Sequence, residues 1–156
     1  KDAPIPAIAM LSAASMYDGD WDNGIILANQ LRDARPRNGE FGDLDKLFLG
    51  YALVFVETQR SVELLSGVLD RNPTWLMCQA MLADAKVHLG NFDGDDSLIE
   101  DALRKSTALI ELVDENPFAL NVCLFAHRAT IERRQLQNEP YEALTHSAEK
   151  LVQKLS

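Results

Sequence analysis

Three acidic side chains at alternate positions, Asp18, Asp20 and Asp22, resemble the opening of a calcium loop, where carboxylates converge on one ion. Such a loop needs Gly at its sixth position and a bidentate Glu at its twelfth. The chain has Asn23 and Asn29 there, so the segment reads as a turn with acids near a helix N-terminus. Asp93-Gly94-Asp95-Asp96-Ser97 reads as a solvated acidic loop capping the helix after it, with Glu100–Arg104 and Asp101–Lys105 pairs at i,i+4 beyond. His88, His127 and His146 fall in separate helical segments, and none is followed at i+4 by a His or carboxylate, the spacing with which a helix grips zinc. The sequence has no Gly-x-x-x-x-Gly-Lys-Ser/Thr, no Gly-x-Ser-x-Gly and no glycine-rich strand-to-helix turn. No nucleophile, base and orienting group can be placed together, so no enzymatic activity, metal or cofactor is expected. Cys78 and Cys123 sit in apolar helical runs without Cys-x-x-Cys spacing and read as small buried residues in a reducing compartment. A disulfide between neighbouring helices is the alternative.

The elements that would position these residues are helices. Residues 72–92 read as one of them, with Asn72 as N-cap, Pro73 at the first helical position and Gly90 ending the run. Between them Trp75, Gln79, Leu82, Ala83, Lys86 and Leu89 recur at three- and four-residue steps, with small side chains where a neighbouring helix must come close.

This layout recurs along the chain. Ile5 to Asn38 forms a 34-residue unit: a helix through Met16, a turn at Gly19-Asp20-Trp21, a helix over Gly24, Ile25, Ala28 and Leu31, and Pro36 closing it. A second unit, 42–75, carries Leu47, Phe48, Ala52 and Phe55 on one helix, a turn near Thr58, and Ser61, Val62, Leu65 and Val68 on the next. The third, 76–119, contains about ten extra residues before a helix over Leu98, Ala102, Leu109 and Val113, closed by Pro117. In the fourth, 120–156, Asn116-Pro117-Phe118 repeats the Asn72-Pro73-Thr74 start, Cys123, Ala126, His127 and Thr130 follow, and Pro140-Tyr141-Glu142 opens the second helix.

A Gly-Asp-aromatic turn between two helices, small residues midway along the second and a closing Pro are the marks of a tetratricopeptide repeat, and the chain resembles that family over nearly its whole length. Gly19, Asp20, Trp21, Gly24, Ala28 and Pro36 stand at the matching offsets. The resemblance implies an all-α, right-handed superhelical solenoid of four antiparallel helix pairs, one domain over 1–156. A stretched third repeat followed by Asn-Pro also resembles the helical tails of bacterial winged-helix transcriptional regulators and class III nucleotide cyclases. Physics asks for the same stacking: a helix pair this short cannot bury its apolar stripe alone, so neighbours must share one core.

In tetratricopeptide proteins the first helices line a concave groove, mainly through their second, fifth, ninth, twelfth and thirteenth positions. The resemblance places Met77, Ala80, Asp84, Val87 and His88 there in the third repeat, and Asn121, Leu124, Arg128, Ile131 and Glu132 in the fourth. The partner-binding site is therefore expected at Met77, Asp84, His88, Asn121, Leu124, Arg128 and Glu132. Packing of these residues against the next repeat is the competing reading. Family members that grip chaperone C-terminal carboxylates use several Lys, Arg and Asn, whereas the first repeat here presents Pro6, Ala9 and Ala13, so that clamp is missing. An apolar groove remains in which Met77 and Met81 adapt to a peptide and Arg128 is the one cation, expected to meet a partner carboxylate while basic residues around it meet the acidic rim.

Fifteen basic against twenty-four acidic side chains leave a net charge of −9, which repels phosphate backbones, so nucleic acid is not an expected direct ligand. Residues 5–16 are apolar but too short to span a bilayer and lack a basic leader, so a cytoplasmic protein without membrane contact is expected. Lys1 at the start and a helical run at Ser156 suggest a piece of a longer chain. The expected function is that of a protein–protein interaction module binding a peptide or partner domain. The alternative is the sensory or regulatory part of a larger transcriptional regulator or cyclase, binding a small effector or forming a homodimer.

Overall fold

The computed structural model describes residues 4–36, 39–113 and 116–155, with Tyr17 described in its backbone alone. Asn38, the end of the first repeat unit, lies outside the described residues, as do Lys1 and Ser156. Among the described residues all regular structure is helical: α1 Ile5–Tyr17, α2 Trp21–Arg32, α3 Asp43–Ala52 prolonged by a 3-10 turn Leu53–Phe55, α4 Thr58–Arg71, α5 Leu76–Asp93, α6 Asp96–Leu112, α7 Pro117–Gln137 and α8 Glu142–Leu155. The chain divides into two compact units, Lys1–Cys78 and Gln79–Ser156, with the division inside α5.

In the first unit α1 packs on both α2 and α3, and α3 on α4. Asp20 caps α2, accepting from the Asn23 amide at 3.2 Å, and Gly19 before it takes a left-handed φ of +86°. The Ser12 hydroxyl donates to the Gly24 carbonyl at 2.7 Å, which joins α1 to α2 in the interior. Ala9, Leu31, Leu49, Ala52 and Leu53 form the core, with Ile5, Ile8, Phe48 and Leu64 against it. Trp21 meets Phe55 edge to face at 5.4 Å.

The second unit is organised by α5, which carries buried residues at Ala80, Met81, Leu82, Ala83, Ala85, Val87 and Leu89 and so has hardly a face for solvent. Ala83 and Val87 share a core with Ile99 and Ala102 of α6 and Val122, Ala126 and Ala129 of α7. A smaller cluster of Leu120, Cys123 and Leu151 attaches α8 to α7. Lys86 bridges α5 to Asp101 of α6, and Asp101 also takes Arg104 and Lys105 of its own helix. Burial alone would raise the Asp101 carboxyl, but its hydrogen bonds to Lys86 and Lys105 hold it down at about 2. Arg104 therefore pairs with Asp101 at i,i+3, where the sequence pattern paired it with Glu100. From α7, Arg133 donates to the Gly90 and Asn91 carbonyls at 3.3 and 3.5 Å and lies 3.3 Å from the Asp96 carboxylate, while Gln137 donates to Asp96 at 2.6 Å.

Two ends differ from the sequence reading. Asn72 does not cap α5. Its amide nitrogen donates to the Val68 and Leu69 carbonyls, which makes it the C-cap of α4, and its side chain donates to Asp43 at 2.8 Å and to the Val68 carbonyl at 3.1 Å. With Asn72 so engaged, Pro73 and Thr74 form a turn closed by the Trp75 amide on the Asn72 carbonyl, and α5 begins at Leu76. Asn116 makes the cap that Asn72 does not, accepting from the Ala119 amide at 3.0 Å with Pro117 at the first helical position. Nor does Gly90 end α5, which runs on to Asp93 and is broken by Gly94 at φ +73°.

At Gly90 α5 and α6 approach closely: a Cβ there would stand 2.7 Å from Ile99 Cγ1 and 2.8 Å from the Asp95 carbonyl oxygen. Gly67, inside α4, has nothing within 4 Å of the same atom. One substitution at the two sites should therefore have opposite signs. Gly90→Ala is expected to cost roughly 1–3 kcal/mol through overpacking against backbone, and Gly67→Ala to gain roughly 0.5–1 kcal/mol from helix propensity. Urea titrations of the two variants check this, and equal shifts would contradict the close approach.

Candidate functional site

The residues expected to bind a partner are distributed unevenly. Met77, in the first turn of α5, is 48% exposed and belongs to the first unit; the other six lie in the second. Ala80 and Val87, also assigned to the groove by repeat position, are core instead: Ala80 packs with Leu109 and Ala119, and Val87 with Ile99 and Ala102. On α7, Asn121, Arg128 and Glu132 are exposed, Ile131 is half-buried, and Leu124 packs against the cluster that holds α8.

α5 and α7 do bring one group together. Asp84 and His88 are a turn apart on α5, with Asp84 Oδ1 3.8 Å from His88 Nε2 and side chains 17% and 28% exposed. The imidazole lies against the ring of Phe125 on α7, centroids 4.7 Å apart and planes tilted by 44°. Packing of Ala83 and Val87 on Val122, Ala126 and Ala129 sets this register, because residues 84 and 88 follow the buried pair on α5 as 125 precedes Ala126 on α7. Further along α7, Arg128 Nε donates to Glu132 Oε1 at 2.8 Å; these side chains are 77% and 55% exposed.

The electrostatics of the α5 pair follow from desolvation. Burial pushes the Asp84 carboxyl up to about 7, and it pushes the His88 imidazole below its ordinary value. No hydrogen bond reaches the Asp84 carboxylate among the described residues, and His88 is its one partner in ion-pair range. The sequence held a signal for this pair: searching forward from each histidine misses a carboxylate four residues behind, which on a helix is equally close. Phe125 is one position beyond Leu124, a one-residue slip in repeat numbering.

The cysteines are free and buried. Burial, and secondarily the charge of Asp43, pushes the Cys78 thiol up to about 11, and its Sγ lies 3.4 Å from the Leu65 carbonyl. Burial also raises Cys123, against the pull of Ser106 and Thr107. His127 does not activate it: its Nδ1 stands 2.9 Å from the Cys123 carbonyl, which can only accept, so that nitrogen carries the proton. Among the described residues no three His, Cys, Asp or Glu side chains gather to hold a metal ion, and no helix is long and apolar enough to cross a membrane. Compared with protein-family models and with curated proteins, the chain matches none.

Stability should report the Asp84 carboxyl directly. Its folded value lies above its unfolded one, so between about pH 4 and about pH 7 the folded state holds more proton and stability falls as pH rises. His88, lowered on folding, acts in the opposite sense near and below its ordinary value of 6.5. Asp84→Asn removes the first contribution alone. It is expected to be more stable than wild type at pH 8, by roughly 2–4 kcal/mol, with the difference shrinking toward pH 4. Melting curves across that range check it, and a difference independent of pH would show Asp84 ionised throughout.

Proposed function

We propose that the chain is a tetratricopeptide-like interaction module, a right-handed superhelix of helix pairs that docks a peptide or a segment of a partner protein on the strip shared by α5 and α7. Packing of α1 on both α2 and α3 supports the stacked-repeat reading, since stacked pairs touch beyond their own partner. The observation that carries the site is the His88–Phe125 contact, which joins half-buried rings of α5 and α7 one turn from Asp84 on α5. Rings of this kind combine contact area with few rotamers to freeze, which suits them to anchoring a partner side chain.

Arg128 tests the strip. It is exposed and, among the described residues, tied to Glu132 alone on its own helix, so Arg128→Glu should shift melting by no more than about 1–2 °C, from repulsion at i,i+4. Affinity for a strip-bound partner should change by on the order of 1 kcal/mol, downward for a partner carboxylate near Arg128 and upward for a partner cation. Thermal melting checks the first and isothermal titration with a peptide selected from a displayed library the second, and unchanged affinity in the folded variant would move docking off this strip.

A second reading, a regulatory domain that forms a homodimer to control an attached domain, is favoured by α1. That helix carries no charged side chain and exposes Met10 at 62% and Leu11 at 58%, so this reading assigns it the contact between two copies of a −9 chain, where its own side chains bring no like charges together. Sedimentation should then show a dimer that Met10→Glu dissociates; a monomer at about 100 μM would end this reading.

A further inference from the structure

The repeat pattern assigns the strip's charge to Arg128 and so assigns an acid to the partner. The contacts reverse that sign. Arg128 already has its counter-charge, Glu132 Oε1 at 2.8 Å on the same helix face. Among the described residues Asp84 has none of comparable quality: His88 Nε2 stands at 3.8 Å, beyond hydrogen-bond length, and burial favours the neutral imidazole. A carboxylate that is 17% exposed has lost much of its hydration without gaining donors, and an ammonium or guanidinium arriving from outside supplies them. The remaining exposure leaves it reachable. His88, one turn from Asp84, and Phe125 on α7 are both half-buried with ring centroids 4.7 Å apart, an apolar pair of the size that a lysine or arginine stem covers while its head reaches a polar group. At long range a net charge of −9 draws basic segments in.

We infer that the α5–α7 strip seats a lysine or arginine of a basic partner segment, its cation against the Asp84 carboxylate and its methylene stem along the rings of His88 and Phe125. This rests on the docking strip proposed above and adds the charge of what docks there. Burial of the carboxyl gives the occupant its selectivity: a cation gains an ion pair, and an acidic or neutral side chain leaves the desolvated group as it was.

The test is a random peptide library displayed on phage and panned on the full chain, followed by titration of the enriched peptides as synthetic probes against four folded proteins. These are wild type, Asp84→Asn, Arg128→Glu and Glu111→Gln, the last removing an exposed acid of α6 to control for net charge. The expected result is enrichment of Lys- or Arg-containing peptides that bind Asp84→Asn at least tenfold more weakly, bind Arg128→Glu more tightly and bind Glu111→Gln within twofold of wild type. Peptides that respond to Arg128→Glu and ignore Asp84→Asn would keep the docking strip and overturn the cation. Equal losses with Asp84→Asn and Glu111→Gln would reduce the effect to net charge and overturn it also. No enrichment, or peptides indifferent to both strip variants, would overturn the strip itself. Melting curves for each variant, with Asp84→Asn at least as stable as wild type at pH 8, separate loss of binding from loss of fold.

Discussion

A helix enclosed by apolar neighbours has almost no face on which a charge can rest, and α5 is such a helix. Lys86 and Asp84, in its middle turns, meet that constraint differently. Lys86 reaches Asp101 on α6, inside a small network with Arg104 and Lys105. Asp84 has no such network, and burial drives its proton affinity up instead. Pairing and neutralisation are the two exits open to a buried charge, and which one applies is decided by the neighbouring helix. The Asp101 carboxylate is met by three basic side chains, whereas no hydrogen bond reaches the Asp84 carboxylate among the described residues.

Much of the fold is written locally. Asp20 with Gly19, Asp95 with Gly94, and Asn116 with Pro117 each carry their cap or break in adjacent residues, and those boundaries were legible. Asn72-Pro73 carries the same two letters as Asn116-Pro117 and yields a different structure. The difference is Asp43, twenty-nine residues earlier, which takes the Asn72 side chain and the Arg71 guanidinium together. The hydrogen bonds from Arg71 and Asn72 in turn hold the Asp43 carboxyl below the usual range. No window around Asn72 contains that competitor. Gly90 misled for a related reason: its lack of a side chain serves the crossing with α6, and glycine in a sequence does not announce whether it is there for backbone freedom or for space.

The candidate site was half legible. Repeat position named Asp84, His88 and Arg128 of the proposed strip, but it also delivered Ala80 and Val87, which are core, because position numbers carry no information on which faces of a helix are covered. Phe125 and the Asp84–His88 pairing needed the register between α5 and α7, and that register is fixed by alanines and valines whose own pattern is unremarkable.

The α5–α6 turn has a consequence for how the chain is made. Its ties are Arg133 on the last α5 carbonyls and Gln137 on Asp96, and these partners lie 43 and 41 residues downstream. During synthesis at about 5–20 residues per second, roughly 2–8 s separate emergence of the turn from emergence of the residues that fasten it. Through that interval Gly90, Asn91 and Asp96 must find water or one another, and the apolar stripe of α5 waits for α7. Nascent α5 thus keeps part of its apolar surface uncovered until translation reaches the end of α7.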